Sequence, residues 1–183
     1  MARNNVRILI RPRENVMQSM EYANFIQDKS RYRSTSIVTV FLWAYRISCD
    51  KRFSFAKFPA KIVIKFFRII GVSIDSKSIG GGLRMPHLNG IFIHPNASLG
   101  ENCTILQQVT IGANEHRLDY SKAPQIGNRV YIGAGAKIIG NIIIGDDVRI
   151  GANAVVTKSV PAGKTVVGYN RIIESKIERE GVI

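Results

Sequence analysis

Imidazole is the side chain whose ordinary titration lies nearest neutral pH, so histidines are the first candidates for proton transfer. This chain of 183 residues has three: His87, His94 and His116. His87 stands in Pro86-His87-Leu88-Asn89-Gly90. An imidazole there can take the proton of an attacking hydroxyl, which is a poor nucleophile until that proton leaves. It can equally be a hydrogen-bonded structural histidine, and spacing alone leaves both readings open. His116 lies beside Asn114 and Glu115, just before a break in the sequence pattern, where it reads either as an exposed loop residue or as a contact for a bound molecule. The three histidines lack the paired spacing of a metal site, so no metal is expected. Cys49 and Cys103 are far apart and fit no metal pattern either. They read as packed thiols in a reducing cytoplasm.

Such residues must be held by something rigid, and the chain supplies it from Leu99 to Pro161. An aliphatic residue, often followed by Gly, returns every six residues: Leu99-Gly100, Ile105-Leu106, Ile111-Gly112, Ile126-Gly127, Ile132-Gly133, Ile138-Ile139, Ile144-Gly145, Ile150-Gly151 and Val156-Thr157. A hexapeptide period predicts a parallel β-helix in which three short strands make one coil. The aliphatic residues, and the small ones four places on (Val130, Ala136, Val148, Ala154, Val160), are expected to point inward and stack between coils. Gly after the aliphatic residue suits a corner where a Cβ is not easily tolerated. The phase breaks once, since Ile111 to Ile126 is fifteen residues, so that Arg117 to Gln125 loop out of the prism. Before Leu99 the pattern continues less cleanly through Ile79-Gly80, Met85 and Ile91 or Ile93, which places the start of the prism near Val72.

The first third of the chain is different. Residues 1–70 carry 14 Lys and Arg against 4 Asp and Glu, whereas residues 71–183 carry 12 against 9. The basic excess therefore belongs to the N-terminal segment. Ile37–Ser48 and Ala56–Ile70 read as helices, both too short to span a bilayer. In the second, Lys57, Lys61, Lys65 and Arg68 are interleaved with Phe and Ile. A basic amphipathic helix of this kind either lies on an anionic membrane surface or covers the end of the prism. No nucleic-acid motif accompanies the charge, so nucleic acid is not an expected partner. Met1 to Arg13 lacks the apolar block of a signal peptide. The expected location is the cytoplasm, with peripheral contact at the inner face of the cell membrane. The expected organisation is a basic helical segment (1–71), a repeat domain (72–173) and a tail (174–183), mainly β overall.

Three stretches, Leu83 to Ile91, Ile105 to Gly112 and Ile132 to Ile142, closely resemble the hexapeptide acyltransferases. Within them they look like the serine acetyltransferase branch and its relatives that acetylate sugars or polysaccharides. The resemblance implies a left-handed β-helix, a homotrimer or a pair of trimers, and acetyl-CoA lying between neighbouring prisms as acyl donor. It implies that His87 is the general base, and Asn89, Glu115 and His116 are the candidate substrate-binding residues. His94, in Ile93-His94-Pro95-Asn96, resembles a turn common in these prisms and is expected to be structural. By motif position, Gly112, Ala113, Ala134 and Ala152 line the coenzyme arm. Lys137, Lys158, Lys164 and Arg171 are the candidate phosphate partners, and a backbone N–H near Gly112 or Ala113 is the candidate oxyanion donor.

Departures from the serine enzymes shape the expected acceptor. Those enzymes have Asp before the catalytic His, where this chain has Pro86, and another Asp fifteen residues earlier, where ungapped counting gives Val72. Their Arg-His clamp for the amino-acid carboxylate corresponds to Lys122-Ala123. With those partners absent, the expected activity is O-acetylation of a sugar or cell-surface glycan precursor, with serine or another small acceptor as the alternative and a non-catalytic scaffold as a third.

Overall fold

The computed structural model describes residues 23–32, 36–50, 55–76, 78–114 and 122–174. Three helical pieces precede the strands: α1 over residues 23–30, α2 (Ile37–Cys49) and α3 (Lys57–Ile69). Fourteen strands follow, beginning at β1 (Val72–Ile74), where the sequence pattern places the start of the prism.

The strands fall into three sheets. The first is β1, β3 (Ile91–Ile93), β6 (Thr110–Gly112), β9 (Lys137–Ile139) and β12 (Val155–Val156). The second is β2 (Ser78–Ile79), β4 (Ser98–Leu99), β7 (Gln125–Ile126) and β10 (Ile143–Ile144). The third is β5 (Thr104–Ile105), β8 (Tyr131–Ile132), β11 (Arg149–Ile150), β13 (Lys164–Val167) and β14 (Arg171–Glu174). Sequence neighbours never pair, apart from the terminal antiparallel hairpin of β13 and β14. Instead each strand pairs in parallel with the strand one coil away, as Thr104↔Tyr131↔Arg149 and Phe92↔Thr110↔Lys137 illustrate. This is a three-faced parallel β-helix. Strand β14 ends at Glu174.

Side chains alternate along each strand, so one residue per strand enters the prism. Ile105, Ile132, Ile150 and Val166 stack beneath one face and Ile93, Ile111, Ile138 and Val156 beneath another, all buried. Val130, Ala136, Val148, Ala154 and Val160 fill the corners, as their spacing predicts. Full burial of an Ile side chain is worth about 1.5–3 kcal/mol. The stacked coils, each too thin to hold a core alone, are stabilised by their neighbours. At Gly133 the glycine after the aliphatic residue is needed because coils stack closely: a Cβ there would lie 2.6 Å from the Ala152 nitrogen. Positive φ falls elsewhere in the corner, at Asn102, Arg129 and Asp147 on one edge and at Gln108 and Asn153 on another.

The N-terminal helices cover the open end. Strands there would present unpaired backbone groups, which need partners. The Asp28 carboxylate accepts the Leu83 N–H at 2.7 Å, and Arg46 donates to the Ile79 carbonyl at 2.6 Å and the Gly80 carbonyl at 2.7 Å. Arg46 and Asp28 also pair directly, Nε to Oδ2 at 2.9 Å, and both are buried. Burial pushes the Asp28 carboxyl up, while Arg46 and the Leu83 N–H pull it down. Beneath this pair α2 packs Val38, Phe41, Leu42 and Tyr45 onto the first coil, and Phe41 meets Phe67 of α3 edge-on at 4.9 Å. These contacts make the segment the cover of the prism's open end. Among the described residues no helix is long and apolar enough to cross a membrane.

Candidate active site

His87 is exposed on the corner between the third sheet and the first. The register explains how it gets there. From Arg84, which bridges to Thr104, to Phe92 is eight residues, whereas Thr104 to Thr110, Tyr131 to Lys137 and Arg149 to Val155 are six. The corner holding His87 therefore contains two residues more than the corners stacked on it, and the excess bulges outward. Buried Met85 and Leu88 anchor the bulge on either side, with Pro86 half-buried between Met85 and the histidine. Asn89 is exposed next to it, and its carbonyl accepts the Gln108 N–H at 2.8 Å.

Braces for this corner come from the N-terminal segment, which sequence reasoning did not connect with it. The Tyr32 hydroxyl accepts the Met85 N–H at 2.7 Å, two residues before His87. Arg31 donates to the carbonyls of Gly82 at 2.6 Å and Cys103 at 3.1 Å and to Thr104 Oγ1 at 3.2 Å. Burial pushes the Tyr32 phenol up, which keeps it neutral and able to act as a hydrogen-bonding hydroxyl. These contacts join residues more than fifty positions apart, so no local pattern announces them.

The other candidate residues fall into two columns. Ala134 and Ala152 stack on the His87 corner one above the other, with the Asn153 N–H donating to the Ala134 carbonyl at 2.8 Å. Gln107 lies in the same column, and its Oε1 is buried without a hydrogen-bond partner. Lys137 opens β9 beside it and donates to the Gln108 carbonyl at 2.6 Å. Gly112 and Ala113 lie on a different corner, between the first and second sheets, where Lys158 also stands, exposed. A Cβ on Gly112 would meet only ordinary contacts, the nearest being Ile139 Cδ1 at 3.5 Å, so its face is open. Lys164 is engaged with the Glu174 carboxylate at 2.5 and 2.6 Å, and Arg171 is exposed at the start of β14. Glu115 and His116 lie outside the described residues. His94 Nδ1 accepts the Asn96 N–H at 3.1 Å and closes the turn after β3, a structural task.

Cys103 is buried, and burial pushes its thiol up, consistent with packing. Among the described residues no three His, Cys, Asp or Glu side chains converge as metal ligands.

The arrangement is thus an exposed imidazole on a braced bulge, above a column of small residues. Comparison with known proteins decides the family. The serine acetyltransferase of Helicobacter pylori is 41% identical over 118 residues, covering 64% of this chain and 68% of that protein. The chain belongs to the serine acetyltransferase family. A model of the bacterial transferase hexapeptide (six repeats) matches residues 123–158. The soybean serine acetyltransferase apoenzyme superposes with a TM-score of 0.67 at 28% identity, covering 87% of this chain and 72% of that one. For native serine acetyltransferase 1 of Entamoeba histolytica the values are 0.62 and 24%, with 83% of this chain and 63% of that one covered. With this family, the three-sheet prism is a left-handed β-helix.

Membership in the serine acetyltransferase family corrects the expected sugar or glycan acceptor and, with it, a role in polysaccharide biosynthesis. That expectation rested on carboxylates and a clamp missing from fixed positions along the chain. Counting without gaps fails across a corner with two extra residues, and Val72, where the count leads, is buried inside the prism. At the clamp position itself, Lys122 is exposed and Ala123 is buried.

Proposed function

We propose that this protein transfers the acetyl group of acetyl-CoA to the hydroxyl of serine. The observation that carries the reading is the exposed imidazole of His87 on its braced bulge, in a chain 41% identical to a serine acetyltransferase. His87 takes the proton as the serine oxygen attacks the thioester carbonyl. The new C–O bond forms, the tetrahedral oxyanion is met by a backbone N–H near Gly112 or Ala113, and the C–S bond breaks. The departing thiolate recovers the proton from the imidazolium. Lys122, exposed where the extruded segment rejoins the prism, supplies a cation for the serine carboxylate in place of an Arg-His clamp. This substitution is expected to raise KM for serine rather than to lower kcat.

The working unit we propose is a trimer. His87 with Ala134 and Ala152 occupies one corner of the prism, and Gly112 and Ala113 another. An acyl donor lying between two prisms meets the first column of one chain and the second column of its neighbour. In this scheme the prism (72–173) carries the chemistry and the first 71 residues cover its end. Release of CoA thiol from acetyl-CoA on adding serine, with O-acetylserine identified by mass, tests the assignment. Thiol release that serine does not stimulate would overturn it.

A further inference from the structure

Helix α3 divides its surface into three stripes. Ala60 and Phe67 are buried against α2 and the first coil, with Val63 packed beside them. A second stripe is cationic: Lys57, Lys61, Lys65 and Arg68 recur at helical spacing, Lys57 half-buried and the other three exposed, Arg68 being paired with Asp75. The third is apolar and faces solvent. Phe58, Ile62, Phe66 and Ile69 share it and are 56–78% exposed. The protein's own core therefore uses only one of the helix's two apolar stripes. Nothing in the described chain covers the other.

We propose that this face of α3 docks the protein on an anionic lipid bilayer. Apolar side chains of this size fit the boundary between headgroups and acyl chains, and the lysines beside them reach lipid phosphates. Charge disfavours a face-to-face contact of this stripe with that of a second copy as the occupant. Neither α2 nor α3 contains an Asp or Glu, so a symmetric contact through this face sets one lysine stripe against another. The helix is 13 residues long, so the contact is peripheral. It does not depend on the acceptor or on His87.

Flotation of the full chain with vesicles of phosphatidylglycerol and phosphatidylcholine, against phosphatidylcholine alone, tests the proposal. Binding is expected only to the anionic vesicles and should weaken with salt, because screening at 0.15 M shortens the range of the attraction to about 8 Å. Lys61→Gln with Lys65→Gln is expected to lower partitioning roughly 25-fold, about fivefold for each lysine. Phe58→Ser with Ile62→Ser should abolish retention. All four side chains point away from the core, so circular dichroism and assembly mass should match the native protein. Failure of the full chain to float at low salt would overturn the proposal, as would undiminished flotation of either double variant. Flotation unchanged in Phe58→Ser/Ile62→Ser, with a fall in assembly mass, would instead identify the stripe as a contact between copies.

Discussion

His87 owes its exposure to a local surplus of chain: two extra residues at one corner, held between the buried side chains of Met85 and Leu88. Because the bulge adds little to the stacked core, His87→Ala is expected to fold and melt like the native protein and still bind acetyl-CoA. Its kcat should fall about 10²- to 10⁴-fold, the usual contribution of a general base. Steady-state kinetics beside a thermal melt checks both parts, and near-native turnover would remove His87 from the mechanism. The residue was legible in the sequence through the resemblance of its motif, Pro86 to Gly90, to that of an enzyme family, since spacing alone left a structural histidine equally open. Tyr32 and Arg31 were not. Each is one polar residue in a basic segment, and its importance arises only when the first coil, lacking a coil beyond it, needs partners for the N–H of Met85 and the carbonyl of Gly82. Glycines show the same contrast between pattern and surroundings. Gly133→Ala forces a Cβ against the Ala152 backbone and should cost about 1–3 kcal/mol. Gly112→Ala has room, so it should melt unchanged and raise KM for acetyl-CoA if that face lines the donor. Denaturant unfolding and kinetics on the two variants separate these effects.

At the scale of elements, the strands were readable almost residue by residue because a six-residue period is imposed afresh on every coil. The two longer helices were readable too, with ends within about one residue, as is usual for helix boundaries. What joins helices to prism was not readable, since it depends on contacts between residues far apart in the chain, a buried ion pair among them. Arg46 and Asp28 lose hydration at the junction, and their neighbours offer carbonyls and an N–H as replacements. Removing one partner strands the other. Asp28→Asn is expected to destabilise the protein by about 3–5 kcal/mol, and Arg46→Met by a similar amount. The double variant should cost less than the sum of the two, because neither charge is then left unpaired. A double-mutant cycle by denaturant unfolding measures the difference. Simple additivity would show that helices and prism are joined by their apolar contacts alone.

At the scale of the whole molecule, the proposed trimer accounts for the two columns of candidate residues. They sit on different corners of one prism, so a single chain presents half of the proposed donor site at each, and a closed ring of three makes three whole sites with no open interface left over. Light scattering should return the mass of three chains or a multiple of it. The sharper test uses two variants, each inactive as its own trimer: His87→Ala, which spoils one corner, and Gly112→Trp, which places bulk on the open face of the other. If each site takes one corner from each of two neighbours, a site in a randomly mixed trimer is intact when the first chain carries native His87 and the second native Gly112. For equal amounts of the two chains that chance is one half for each partner, so unfolding and refolding them together should restore about one quarter of native activity. Sites confined to single chains would give none, because every chain in the mixture carries one lesion. Restoration near one quarter would place the chemistry between prisms, and its absence, with trimers re-formed and each variant folded, would place both corners' work within one chain.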